Sequence, residues 1–102
     1  MLLLELSMSP MDKGESVGKE VAELVNIIDK SGLQYRLNPM GTVIEGEWDD
    51  VLAVVTRCFK HLRDKSNRIT ISMKADYRTG QESRLESKVE RVEKLLGRTL
   101  KH

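Results

Sequence analysis

The chain has 102 residues, a length typical of one small domain, and its 39% hydrophobic and 32% charged residues favour a folded globular protein over a disordered one. Its 17 Lys and Arg residues nearly balance its 16 Asp and Glu residues, so the net charge of +1 argues against nucleic acid or an anionic membrane as the main partner. Cys58 is the single cysteine, which excludes an intrachain disulfide and a Cys-based zinc cluster, and no signal peptide or membrane span is recognisable. We therefore expect a single cytoplasmic domain over residues 1–102.

The first two predicted elements are a β-strand and a helix. The strand ends at Pro10 and alternates between two faces, one of which carries only apolar side chains. These are Leu2, Leu4, Leu6 and Met8. Ser16 is a good N-cap residue for the helix that follows. Apolar residues then recur at helical spacing from Val21 to Ile28, and Gly32 ends the helix.

Two short strands joined by a tight turn come next. The second strand covers Leu33 to Leu37 and the third covers Thr42 to Glu45. Pro39 fixes one backbone dihedral and removes a hydrogen-bond donor, while Gly41 permits a positive φ. The pair therefore predicts a hairpin.

A second helix and a fourth strand follow the hairpin. Asp49 or Asp50 can cap the helix, which carries an apolar stripe between Leu52 and Leu62. Apolar and polar side chains alternate over residues 69–76, and this period of two predicts a strand.

The last predicted element is a helix over about residues 83–97. Ser83 and Glu86 have the spacing of a capping box, in which each side chain bonds to the backbone of the other residue. The helix has a narrow apolar stripe, and Gly97 ends it.

The order βαββαβ with an additional C-terminal helix predicts a ferredoxin-like α+β sandwich, in which the first two helices cover one face of the sheet. The other face combines aliphatic side chains with charges of both signs. Its members are Leu3, Glu5, Ser7, Gln34, Arg36, Asn38, Val43, Glu45, Thr70, Ser72 and Lys74. We expect this face or the last helix to contact another subunit, so the sequence predicts a homo-oligomer, a dimer or a tetramer.

No set of residues points to catalysis, so we do not expect an enzyme. The sequence shows no nucleophile–base pair, P-loop or GxGxxG motif. His61 and His102 have no metal-ligand residue at a suitable spacing, so no metal and no cofactor are expected.

Glu45 is a carboxylate within a strand, and a buried carboxylate needs a partner. It shares a sheet face with Arg36 and Asn38, which leaves two interpretations open. Glu45 either forms a structural ion pair, or it lines a polar pocket near a subunit interface. In that pocket Glu45 and Asn38 would accept hydrogen bonds from a small nitrogen-rich ligand.

Three segments resemble the small thiamine-binding protein family, which is related to the YkoF-like proteins: Ser16–Glu23, Ser31–Tyr35 and Asn38–Glu47. The similarity continues at Trp48–Val51, Lys74–Arg78 and Glu86–Val89, and it covers about residues 1 to 96. The chain departs from many relatives at Asn38, where they carry an acidic residue or Thr, and at Ala75 or Tyr77, where they carry Asp.

This resemblance implies a ferredoxin-like subunit that forms dimers through its sheets and often tetramers, and that binds a ligand without catalysis. The implied ligand is thiamine or its hydroxymethylpyrimidine precursor. Together with the pocket hypothesis, the resemblance gives six candidate ligand-binding residues: Glu45, Asn38, Thr42, Met40, Ser16 and Ser7. The alternative is a structural or regulatory homo-oligomeric assembly module without a dedicated ligand, in which an Arg36–Glu45 pair holds the subunit interface.

Overall fold

A computed structural model describes residues 1–12, 14 and 18–102 of the chain. Four strands in this part form one antiparallel sheet with the order β2-β3-β1-β4: β1 (Leu2–Pro10), β2 (Gln34–Asn38), β3 (Gly41–Gly46) and β4 (Ile69–Tyr77). Its helices are α1 (Gly18–Lys30), α2 (Trp48–Arg63) and α3 (Ser87–Leu96). This architecture confirms the predicted ferredoxin-like α+β fold with an additional C-terminal helix. None of the described helices is long and apolar enough to cross a membrane.

The hydrophobic core lies between α1, α2 and one face of the sheet. The predicted alternation of β1 is confirmed, because its four even-numbered apolar residues are buried against these helices. On β3, Thr42 and Ile44 are on the same side and are also buried. Each side chain that folding buries completely contributes about 1.5–3 kcal/mol, so this shared layer supplies most of the driving force for folding. Cys58 is part of it, and burial raises the pKa of its thiol to about 11.

Polar contacts also join the outer sides of α1 and α2. Glu23 of α1 accepts a hydrogen bond from Nζ of Lys65 at 2.8 Å and lies against the ring of His61. These two basic partners, Lys65 first, hold the pKa of Glu23 at about 2. The carboxylate therefore stays charged at neutral pH and ties the two helices together.

The hairpin between β2 and β3 turns at Pro39 and Met40, and its two flanking residues, Asn38 and Gly41, pair across the strands. Gly41 does not take a positive φ, so the conformational reason predicted for it is wrong. A Cβ atom at Gly41 would instead lie 3.2 Å from the carbonyl oxygen of Leu6. Glycine suits this position because a Cβ atom there would press against the backbone of β1.

The C-terminal helix begins four residues later than predicted. Residue Glu86 is the N-cap of α3 and makes no side-chain capping bond, so the capping box of Ser83 and Glu86 is not formed. The hydroxyl of Ser83 donates instead to the carboxylate of Glu45 on β3. The end of the helix is as predicted, since Gly97 takes the left-handed conformation with φ of 71°.

The segment before helix α3 is attached to the sheet on the face opposite α1 and α2. Arg36, which points to this face, pairs with Glu86 just before the helix. None of the residues of α3, all of which the structure describes, is buried. The radius of gyration is 15.2 Å, whereas a compact chain of this length has about 13 Å. Polar contacts around its N-terminal end therefore hold α3 more than packing does.

Candidate ligand-binding cavity

A cavity of about 310 Å³ opens between α1, β1 and the β2–β3 turn, and we call it the α1 cavity. It is lined by Leu6, Ser7, Met8, Ser9, Val21, Leu24, Val25, Ile28, Leu37, Asn38, Pro39, Met40, Gly41 and Thr42. Its volume is at the small end of the range of roughly 300–1,000 Å³ that is typical of small-molecule sites.

Four of the six candidate residues line the α1 cavity: Ser7, Asn38, Met40 and Thr42. Ser16 is outside the described residues. Glu45 is near the other end of β3, on the opposite face of the sheet, and does not line this cavity. The structure therefore brings together the residues of the β2–β3 hairpin and separates them from the carboxylate.

The four residues contribute in different ways. Thr42 is buried on the helix side of the sheet, opposite Leu6 of β1. Asn38 ends β2 at the start of the turn, and Met40, at 89% exposed, is at the tip of the turn. Ser7 alternates with Leu6 and Met8, so the strand period directs its side chain to the other face and leaves its backbone to line the cavity.

The wall of the α1 cavity is apolar and comes largely from α1. Val21, Leu24, Val25 and Ile28 are the apolar stripe predicted for this helix, and Leu37 of β2 adds to the wall. The helical spacing predicts that these side chains face the sheet, but it does not distinguish residues that fill the core from residues that line a cavity. At 57% exposure, Leu37 marks the open rim of the cavity.

The polar groups of the wall are available to a ligand. Within the described part of the chain, no hydrogen bond engages the side chain of Asn38 or Thr42. An amide donates and accepts hydrogen bonds, and a hydroxyl does both. The Thr42 hydroxyl is thus an uncommitted polar group beside an apolar wall, as in sites that orient a small ring, whereas the strand period directs the side chain of Asn38 to the other face.

Glu45 has protein partners for both of its oxygens. The side chain is only 3% exposed, Oε1 accepts a hydrogen bond from the hydroxyl of Ser83, and Oε2 accepts one from the backbone N–H of Arg84, both at 2.5 Å. The Arg36–Glu45 pair expected from the sequence is not formed, because Arg36 pairs with Glu86. A ligand role of Glu45 stays a prediction, and its present role is to hold the segment that precedes α3.

The side chain of Arg84 attaches the same segment to a second part of the sheet. Its guanidinium donates to Oδ2 of Asp76 at 2.9 Å and to the carbonyl oxygens of Asp76 and Met1 at 2.8 and 3.0 Å. The segment is thus fixed to β3 through the Ser83 hydroxyl and the Arg84 backbone, and to β4 and Met1 through the Arg84 side chain. Sequence reasoning missed Arg84, because no local pattern indicates a partner so distant along the chain.

Residues 4–93 of the chain match the model of a family described as "Thiamine-binding protein". A UPF0045 protein of Mycobacterium bovis is 36% identical over 96 residues, which cover 93% of this chain and 94% of that protein. The crystal structure of protein MJ1052 from Methanocaldococcus jannaschii has a TM-score of 0.81 at 31% identity and covers 89% of this chain and 94% of that one. A Thermotoga maritima structure, described as a candidate thiamine biosynthesis/salvage protein, shares the fold with a TM-score of 0.78 at 20% identity over 89% of this chain and 97% of that one. The chain therefore belongs to the thiamine-binding protein family.

Proposed function

We propose that the protein is a non-catalytic, cytoplasmic small-molecule-binding protein that holds thiamine or its hydroxymethylpyrimidine precursor in the α1 cavity. One observation carries this proposal: the Thr42 hydroxyl, which has no hydrogen-bond partner among the described residues, lies beside an apolar wall in a cavity of about 310 Å³. Membership of the thiamine-binding protein family supports the choice of ligand. The T. maritima structure, described as a candidate thiamine biosynthesis/salvage protein, adds to that support.

The chemistry of an aminopyrimidine suits these groups. Its ring nitrogens accept hydrogen bonds and its exocyclic amine donates them, so the Thr42 hydroxyl can donate to a ring nitrogen or accept from the amine. Its faces are apolar enough to pack against the valines and leucines of α1. In this arrangement Glu45 is not a ligand group, and the hairpin supplies the specificity.

The rim of the α1 cavity suggests a role for a second subunit. Met40 and Leu37 are large apolar side chains that remain exposed beside the opening. A neighbouring copy of the chain placed there would bury them and close the cavity over the ligand. We therefore include in the proposal a homodimer or homotetramer whose interface runs near the site.

The second candidate function is a structural or regulatory assembly module without a ligand. It is favoured by the protein partners of Glu45, since the most buried carboxylate of the sheet serves the architecture and not an open site. The two candidates differ in one respect that an experiment can measure: only the first gives the hydroxyl of Thr42 a function.

Calorimetric titration of the protein with thiamine and with hydroxymethylpyrimidine tests the proposal. Thr42→Val keeps the shape of the side chain and removes a hydroxyl that bonds to none of the described residues, so we expect the fold to persist. A neutral hydrogen bond contributes about 0.5–1.5 kcal/mol, and we therefore expect binding to weaken about 3- to 10-fold.

Thr70→Val is the matched control, because Thr70 is exposed on β4 at the opposite face of the sheet. The affinity of this variant for both ligands should equal that of the unchanged protein. Native mass spectrometry of the same samples reports the number of subunits and any bound compound. Folded protein that gives no heat with either ligand at millimolar concentration contradicts the proposal and favours the assembly module.

A further inference from the structure

A second and larger cavity, of about 550 Å³, lies on the other face of the sheet, and we call it the α3 cavity. It is enclosed by the start of β1, the segment between β4 and α3, and one side of α3. The residues of α3 that reach it include Lys88, Arg91, Val92 and Leu95, which follow the spacing of a single helix face. One side of α3 therefore faces this cavity along most of its length.

The charges of this helix face are unusual. An amphipathic helix normally directs its apolar side chains inward and its cations to solvent. On α3 the cations Lys88 and Arg91 share the cavity side with Val92 and Leu95, and within the described residues neither cation forms an ion pair. Lys88 and Arg91 are both exposed, so their charges are accessible to a ligand in the cavity.

The other charged groups around the α3 cavity leave it positive. Asp76 pairs with Arg84, whose side chain is only 12% exposed and whose guanidinium also donates to backbone carbonyls, so these two charges offset each other. Arg78 also lines the cavity, with its Nε 3.9 Å from Asp76. Glu82 is the remaining carboxylate of the lining and opposes three basic side chains.

The apolar part of the lining restricts the kind of anion. Leu3 of β1 lines the cavity together with Val92 and Leu95, so the lining combines apolar and cationic side chains. The N-terminal end of α3, at Ser87, also reaches the cavity and adds the positive end of a helix dipole. Arginine binds phosphate with two parallel hydrogen bonds, which favours a phosphate group over a simple halide.

We propose that the α3 cavity binds a phosphate monoester of a small molecule, with the phosphate held by Lys88, Arg91 and Arg78 and the apolar group of the ester packed against Leu3, Val92 and Leu95. The site is separate from the α1 cavity and does not depend on the proposed thiamine function. A ligand bound in the α3 cavity would also stabilise the position of α3, which has few packing contacts of its own.

The test uses phenyl phosphate as the probe, titrated calorimetrically into the full chain at low ionic strength. We expect one site per chain, and we expect both inorganic phosphate and the neutral analogue benzyl alcohol to bind at least 10-fold more weakly, because each lacks one half of the ligand. The double variant Lys88→Gln with Arg91→Gln should lower the affinity for phenyl phosphate at least 10-fold.

The matched control is Lys94→Gln with Arg98→Gln, which removes the same charge from residues that do not line the cavity and should change the affinity less than 2-fold. Thr42→Val should leave phenyl phosphate binding unchanged, which separates this site from the α1 cavity. Three results overturn the proposal: no binding of phenyl phosphate, equal losses in the two double variants, or inorganic phosphate binding as tightly as the ester.

Discussion

Replacing Glu45 by Gln tests the view that one buried carboxylate fastens the C-terminal helix to the sheet. The substitution keeps the shape of the side chain and removes its charge. Oε1 and Oε2 each accept one hydrogen bond, from Ser83 and Arg84, at 2.5 Å. A glutamine side chain has only one acceptor oxygen. Its NH₂ group would therefore face the second donor, unless the Ser83 hydroxyl rotates and accepts a hydrogen bond from it.

The size of the effect follows from these two bonds. A hydrogen bond to a charged group contributes about 1.5–3 kcal/mol and a neutral one about 0.5–1.5 kcal/mol. Two weakened bonds lose roughly 1–3 kcal/mol, and because a neutral amide is easier to bury than a carboxylate we expect the lower part of this range, about 1–2 kcal/mol. That is about a 5- to 30-fold increase in the population of molecules with the segment detached.

Hydrogen exchange measured by mass spectrometry can detect this change. The structure describes no buried residue in α3, and an isolated helix shorter than about 12–15 residues is only marginally stable, so α3 should unfold once its attachment is lost. We expect the amides of residues 87–96 to exchange about 5- to 30-fold faster in Glu45→Gln, while those of β1 keep their protection.

Glu5→Gln is the control, since Glu5 is an exposed carboxylate on the same sheet face and the same change of charge there should leave exchange unaltered. Unchanged exchange of α3 in Glu45→Gln would refute the reasoning. Faster exchange of β1 as well would show that Glu45 stabilises the whole sheet and not the helix attachment.

Three further predictions concern the core and the helix pair. The pKa of Glu23 is lowered from 4.5 to about 2, so its contribution to stability is complete above pH 4.5 and is lost as the pH falls towards 2. The difference in Tm between the protein and Glu23→Gln should therefore decrease between pH 4.5 and pH 2. A difference in Tm that stays constant would contradict the ion pair. Cys58 is fully buried with a thiol pKa of about 11, so a thiol reagent at pH 8 should react only as fast as the protein unfolds, and rapid labelling of native protein would be inconsistent with its burial. Gly41→Ala places a Cβ atom 3.2 Å from a β1 carbonyl oxygen and should lower the free energy of unfolding, measured in urea, by about 1–3 kcal/mol. Gly18→Ala is the control, because nothing lies within 4 Å of the added atom, and it should not lower the free energy of unfolding. Equal effects of the two variants would show that the close approach of β1 is not the cause.

The sheet was predictable because its signals are local. Alternation of β1 and β3 with a period of two determines which side chains face the helices, and Leu4 and Ile44 pair across the strands on the predicted side. The turn residue Pro39 likewise marked the hairpin correctly. These patterns need only neighbouring residues and one buried face, and both are visible in a sequence.

The errors arise where a distant residue competes with a local motif. Ser83 and Glu86 have the spacing of a capping box, but Ser83 bonds to Glu45, which is 38 residues away, and Glu86 pairs with Arg36. The hydrogen bond from Ser83 stabilises the buried carboxylate by more free energy than the exposed helix end loses without its cap, because water can hydrate the helix end. No spacing rule contains this comparison, because it depends on which residues the fold brings together.

The alternation of β3 explains how one short strand can serve two purposes. Thr42 and Glu45 are three residues apart, an odd number, so their side chains point to opposite faces of the sheet. Thr42 faces α1 and its cavity, where an uncommitted hydroxyl is useful to a ligand, and Glu45 faces the segment before α3, where both oxygens are committed. The sequence could place both residues in one strand, but a strand that is polar at both positions does not reveal which group is free. The partner of each residue decides this, and for Glu45 the partners come from a segment that the sequence had assigned to a helix.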